Sequence, residues 1–185
     1  MKKTLFILSI TLLGTLLGSN VLGQVNVTTN ALSLGMPELS LLSASATQIN
    51  LQLTTAVAGE AVKASVSDST ARLKISSVIT SAARTLSASV SAVPAGTVLK
   101  LQAQTPNSSF GGTPGTFVTD AALPTSSSTD IITGIGSCYS GTATDDGYKL
   151  KYTWGLLNAA TSYAAVRATG AGVVVTVTLT LTASN

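Results

Sequence analysis

From Val173 to Thr182 the chain alternates without a break. Val173, Val175, Val177, Leu179 and Leu181 fall on one side of an extended backbone, and Val174, Thr176, Thr178, Thr180 and Thr182 on the other. A period of two is the signature of a β-strand, because successive Cβ atoms of a strand point to opposite faces. At ~3.3 Å per residue the run reaches roughly 30 Å, long for a strand. The row from Val173 to Leu181 is expected to be an edge strand, and Thr176, Thr178, Thr180 and Thr182 a surface ladder of hydroxyl and methyl groups.

The same alternation recurs upstream. Ile49, Leu51 and Leu53 alternate with Asn50, Gln52 and Thr54; Leu86, Ala88 and Val90 with Ser87, Ser89 and Ser91; Leu99, Leu101 and Ala103 with Lys100, Gln102 and Gln104. Each pattern predicts one face buried and one wet. Residues 70–83 are rich in Ala and Leu, but Ile75, Val78, Ile79 and several hydroxyl residues lower helix propensity, so a strand is expected there too. No helical stripe competes.

Turn chemistry separates these runs. Pro94-Ala95-Gly96, Asp145-Asp146-Gly147 and Thr169-Gly170-Ala171-Gly172 supply a fixed φ or permit a positive one, and all three are expected at hairpin ends. The Asp-Gly step is the strongest of these signals. It precedes Tyr148, Leu150, Tyr152 and Trp154 on one face and Lys149, Lys151 and Thr153 on the other. Roughly eight strands with short connections predict a single antiparallel β-sandwich, Ig-like or jelly-roll-like, with Greek-key connections. Residues 105–129, with Pro106, Gly111, Gly112, Pro114, Gly115 and Pro124, are expected to form a long loop holding one short strand around Phe117 and Val118.

The N-terminus reads as an export signal. Lys2 and Lys3 precede an apolar stretch from Leu5 to Leu17, and small polar residues follow. That stretch is shorter than the ~20 residues a membrane-spanning helix needs. Val21 and Gly23 place cleavage before Gln24, and no cysteine follows the site to make a lipoprotein. The expected organisation is a signal peptide over 1–23, a strand-like extension over 24–38 and the sandwich over 39–185, with no membrane span in the mature chain and a secreted or cell-surface location.

Losing Lys2 and Lys3 leaves eight of the ten basic residues against seven acidic ones, a net charge of +1. Lys63, Arg72, Lys74, Arg84, Lys100, Lys149, Lys151 and Arg167 stand singly along the chain, whereas a nucleic-acid footprint needs clustered cations. Nucleic acid is therefore not an expected partner.

The chain has no histidine, which removes the commonest general base and the commonest metal ligand. Nothing in the spacing of Glu38, Glu60, Asp68, Asp120, Asp130, Asp145 and Asp146 selects a catalytic pair or a calcium loop. Neither an enzyme nor a cofactor is expected. Cys138 has no partner for an internal disulfide and, without an imidazole to activate it, is expected as a small buried apolar residue.

Residues 24–35 form a second alternating segment, in which Val25, Val27, Leu32 and Leu34 are candidate donor-strand residues. Such a segment can add to the sheet edge of a neighbour, with backbone hydrogen bonds giving affinity and alternate side chains filling pockets. An exported, histidine-free, Ser/Thr-rich sandwich with a strand-like extension resembles bacterial fimbrial or matrix-filament subunits in general layout. The resemblance implies a self-assembling structural subunit whose partner is itself or another surface subunit. The alternative is a monomeric secreted binding module that meets glycan or ice through the long loop or the Thr ladder.

Overall fold

The computed structural model describes residues 31–45, 48–54, 57–170 and 172–183. The export signal and the candidate donor residues Val25 and Val27 lie outside the described residues. Two compact units divide the chain, Met1–Met36 and Pro37–Asn185.

The second unit is all-β. Its twelve strands are β1 (Leu39–Ala44), β2 (Ser65–Asp68), β3 (Arg72–Val78), β4 (Arg84–Val90), β5 (Thr97–Gln104), β6 (Gly111–Gly112), β7 (Thr116–Phe117), β8 (Ala121–Ala122), β9 (Thr129–Ile135), β10 (Cys138–Tyr139), β11 (Tyr148–Leu156) and β12 (Val177–Ala183). A single 3-10 turn, Tyr163–Ala165, is the only helical element among the described residues. The strands form two antiparallel sheets. The eight-stranded sheet runs β6-β10-β3-β11-β5-β8, with β1 added to β3 and β2 added to β11; the four-stranded sheet runs β12-β4-β9-β7.

Alternation decides what each sheet buries. Leu73 and Ile75 of β3, Leu99, Leu101 and Ala103 of β5, and Tyr148 and Leu150 of β11 meet Leu86, Ala88 and Val90 of β4 and Ile131, Ile132 and Ile135 of β9 in one core. Tyr148 is fully buried among them. Phe110 and Phe117 stand edge-on to its ring, with centroids 5.3 and 6.0 Å away, and its hydroxyl donates to the Pro114 carbonyl at 2.9 Å. A buried Tyr hydroxyl needs such an acceptor. That bond, with the two rings, ties the 105–129 segment down.

No two successive strands pair with each other, which corrects the hairpins expected from the turn chemistry. Pro94-Ala95-Gly96 carries the chain from β4 in one sheet to β5 in the other, and residues 169–172 lie on the connection from β11 to β12, again between sheets. The Asp145-Asp146-Gly147 step joins β10 to β11, and both run antiparallel to the same strand, β3. Those two strands are successive pieces of one line, and residues 140–147 loop out between them. Gly147, at φ 99°, returns the chain so close to β3 that a Cβ would sit 2.3 Å from the Leu73 carbonyl oxygen. The turn residues were recognised correctly as turns; their partners were set by side chains far away in sequence.

Three further departures follow from the pairing. The C-terminal strand is shorter than its alternation, since the ladder with β4 begins at Val177 and leaves Val173 and Val174 exposed. Residues 48–54 belong to no strand, although Ile49 and Leu51 pack on the core. Residues 105–129 carry three two-residue strands, β6 to β8, where one was expected.

Candidate functional site

Two surfaces carry chemistry, an open edge and a charged face. The edge is built by β1 and β12. Strand β3 leads into β4, so β1, beyond β3, and β12, beyond β4, end the two sheets on the same side of the sandwich. Among the described residues each is hydrogen-bonded to one neighbour. The inward row of β12 is Val177, Leu179 and Leu181, which pack on the core yet stay only partly buried. On β1, Leu41 is 57% exposed and Leu42 alone is partly buried. An unpaired strand edge beside a half-covered apolar row is a template for a further strand.

One buried charge holds this edge together. Arg84 opens β4 pointing inward and is 6% exposed. Its guanidinium donates to Glu38 Oε1 at 2.7 Å, to the Leu39 carbonyl at 3.2 Å and to Ser77 Oγ at 3.2 Å. Burial of an Arg is tolerated when its donors are matched in this way. The bonds to Glu38 and Leu39 fix the start of β1 against the other sheet.

The candidate residues fall as follows. Leu32 and Leu34 are 83% and 93% exposed, in the compact unit that ends at Met36. Val175 packs on the core with the β12 row, while Val173 does not. Thr178, Thr180 and Thr182 face solvent opposite Ser89, Ser87 and Thr85 of β4, and Thr176 is exposed just before them. The ladder therefore broadens into a neutral, hydroxyl-covered face two strands wide.

The outward face of the larger sheet differs. Arg72 and Lys74 of β3, Lys149 and Lys151 of β11, and Lys100 of β5 alternate with buried neighbours and all point outward. Five of the eight basic residues that stand singly in the sequence thus share one face. Arg72 and Lys149 are directly opposed across the β3–β11 ladder. A readable signal existed in the Arg-Leu-Lys triplet at 72–74 and the Lys-Leu-Lys triplet at 149–151, each of which puts two cations on one side of a strand. Register alone brings the triplets together.

Other polar groups are committed to structure. Asp146 holds the 140–147 loop, accepting from Asn107 Nδ2 at 2.8 Å, from the Ala143 N–H at 2.8 Å and from the Ser109 hydroxyl. The Ser109 and Asn107 bonds, more than any other influence, hold its carboxyl below the usual range. Cys138 is buried against Tyr148, and desolvation pushes its thiol up, away from the thiolate a nucleophile needs. Among the described residues no three His, Cys, Asp or Glu side chains converge as a metal site. No helix among them is long and apolar enough to cross a membrane. No family model, no curated protein and no solved structure matches the chain.

Proposed function

We propose that the protein is a secreted structural subunit of an extracellular filament, pilus or matrix fibre. In this reading it assembles by strand addition, the segment of one copy that holds Val25, Val27, Leu32 and Leu34 pairing with β12 of the next. The observation that carries it is the β12 edge, which among the described residues pairs with β4 alone and lies beside an apolar row, Val177, Leu179 and Leu181, that stays only partly buried. The choice of occupant rests on Leu32 and Leu34, which alternate as a strand requires and are left almost wholly in water. An extended donor supplies both missing items at once, backbone hydrogen bonds and alternate apolar side chains. Donor and acceptor are different surfaces, so the contact is head-to-tail and propagates into fibres where its rotation does not close.

Negative-stain electron microscopy with light scattering over a concentration series tests this. Regular filaments are expected from the mature protein. The pair Leu32→Ser and Leu34→Ser should leave a folded monomer, and so should deletion of residues 24–34. A wild-type monomer that persists at high concentration, or filaments that survive the deletion, would remove the proposal.

A further inference from the structure

We infer that the outward face of the larger sheet binds an extended acidic polysaccharide, its carboxylates following a track of five cations. The order of the track is Lys74, Arg72, Lys149, Lys151, Lys100, set by strand spacing and register. Lys74 and Arg72, like Lys149 and Lys151, are two residues apart on one strand, or about 7 Å. Arg72 and Lys149 are opposed, which puts their Cβ atoms about 5 Å apart. Lys151 pairs with Gln102 and Thr153 with Lys100, so Lys151 and Lys100 are diagonal neighbours, about 7–8 Å apart. The spacing is that of a ladder of charges, not of one isolated clamp.

Three observations say that the track is built for a ligand. The first is cost. Like charges directly opposed on neighbouring strands destabilise a sheet, yet Arg72 faces Lys149, and the one ion pair among the described residues is elsewhere, between Arg84 and Glu38. The side chains of Lys100, Lys149 and Lys151 make no hydrogen bond or ion pair among the described residues, whereas Arg72 donates to the carbonyls of Ser69, Thr70 and Ala71 and Lys74 to that of Thr142.

The second is shape, for a shallow, open depression lies toward each end of the track. One, of about 300 Å³, is lined by Lys100, Lys151, Thr153, Asp120, Ser65 and Gly155. The other, of about 240 Å³, is lined by Arg72, Lys74, Ser43, Ser45 and Thr144. The first is at the lower limit of the roughly 300–1,000 Å³ range of small-molecule sites and the second below it.

The third is the chemistry of the larger depression. Thr153 Oγ1 is buried without a hydrogen-bond partner among the described residues, a donor and acceptor that the fold itself does not use. Asp120, at φ 44°, holds the left-handed conformation at the wall of that depression.

That mixture favours an acidic sugar over a nucleic acid. Two lysines suit a carboxylate, and the Asp beside them accepts from sugar hydroxyls. Gln102 and Gln104 extend the hydrogen-bonding surface along β5. Single-stranded nucleic acid would need a row of stacking rings along the track, whereas Tyr148, Tyr152 and Trp154 alternate with its lysines and point inward, and the exposed ring of this face, Tyr139 opposite Ser76, stands past the Lys74 end. The track is on a sheet face and not at the β12 edge, so it operates in a monomer or in a fibre.

Isothermal titration of the purified protein with polygalacturonate, neutral dextran and duplex DNA, at about 150 mM salt where weak surface attraction is screened, tests the inference. Polygalacturonate should bind and dextran should not. Lys100→Gln with Lys151→Gln should weaken binding about tenfold or more and lower the slope of log K against log salt by about 1 per lysine. Lys100→Arg with Lys151→Arg should keep most of the affinity, and Thr178→Ala with Thr180→Ala, on the opposite face, should keep all of it. Far-UV circular dichroism confirms the fold of each variant, and Lys149→Gln provides a second, independent loss. Failure of polygalacturonate to bind, equal binding by the Gln variants, or tighter binding of DNA would overturn it.

Discussion

The two sides of the sandwich are made from the same kinds of residue and differ in how they end. On one side β5, β7, β8 and β9 pack across the gap between the sheets, and Leu101, Ile131 and Ile132 are wholly buried. On the other, β1 and β12 each pair with one strand among the described residues, as the two-residue β7 and β8 also do, but they present far longer edges, and the apolar row of β12 is only partly covered. The closed side is sealed by the 105–129 segment, whose short strands split between the sheets, β6 and β8 in one and β7 in the other. The open side has Arg84 and its bonds to Glu38 and Leu39. The second side keeps unmet backbone groups along its edge strands among the described residues, because an edge strand has them wherever nothing covers it.

The sharpest test pairs one truncation from each side. Leu101→Ala should cost about 3–4 kcal/mol, as expected for a fully buried Leu that leaves a cavity. Leu179→Ala should cost about 1 kcal/mol, since much of that side chain already meets water. Urea denaturation measures both, and equal values would erase the distinction between the sides.

Next in size is the clamp. Arg84→Met should cost about 2 kcal/mol. It strands the buried Ser77 hydroxyl, whereas Glu38, 50% exposed, can return to water. Amide hydrogen exchange should show protection lost first in β1. Loss spread evenly over both sheets would mean that Arg84 supports the whole core and not the open edge.

The loop held by Asp146 gives a pH dependence with a definite sign. Its carboxyl is held below the ordinary value of 3.8, first by Ser109, then by Asn107 and the Ala143 N–H. The stabilisation is therefore complete above about pH 4 and is lost as pH falls through the lowered native value. Thermal midpoints should drop on that acid limb, and Asp146→Asn should flatten the drop. An unchanged limb would assign acid sensitivity elsewhere.

The smallest effect is chemical. Cys138 is buried and its thiol is pushed up by desolvation, so disulfide reagents should label it only as fast as the core unfolds. Labelling faster than global unfolding would place β10 among the parts that open locally, along with β1.

Much of the strand content was legible. The alternations at Leu86–Val90, Leu99–Ala103 and Tyr148–Trp154 need no knowledge of distant residues, and β4, β5 and β11 fall on them. Partners were not legible, because no strand pairs with its successor and turn chemistry speaks only for neighbours in sequence. Val173 shows the same limit: its alternation is perfect, but a ladder needs a facing strand, and β4 ends its pairing at Val90 opposite Val177. The basic face was half legible. The triplets around Leu73 and Leu150 put cations in pairs, and only the register of β3, β11 and β5 joins those pairs with Lys100.

What the sequence determined by itself was local: an all-β chain with turns in the right places, since side-chain period and φ preference are properties of a few consecutive residues. Tertiary structure decided which strands meet, which side of the sandwich stays open, that Arg84 is buried as a clamp, and that five separated cations share a surface. Those outcomes depend on long-range pairing, where a shift of one residue would turn every lysine on this face into the core.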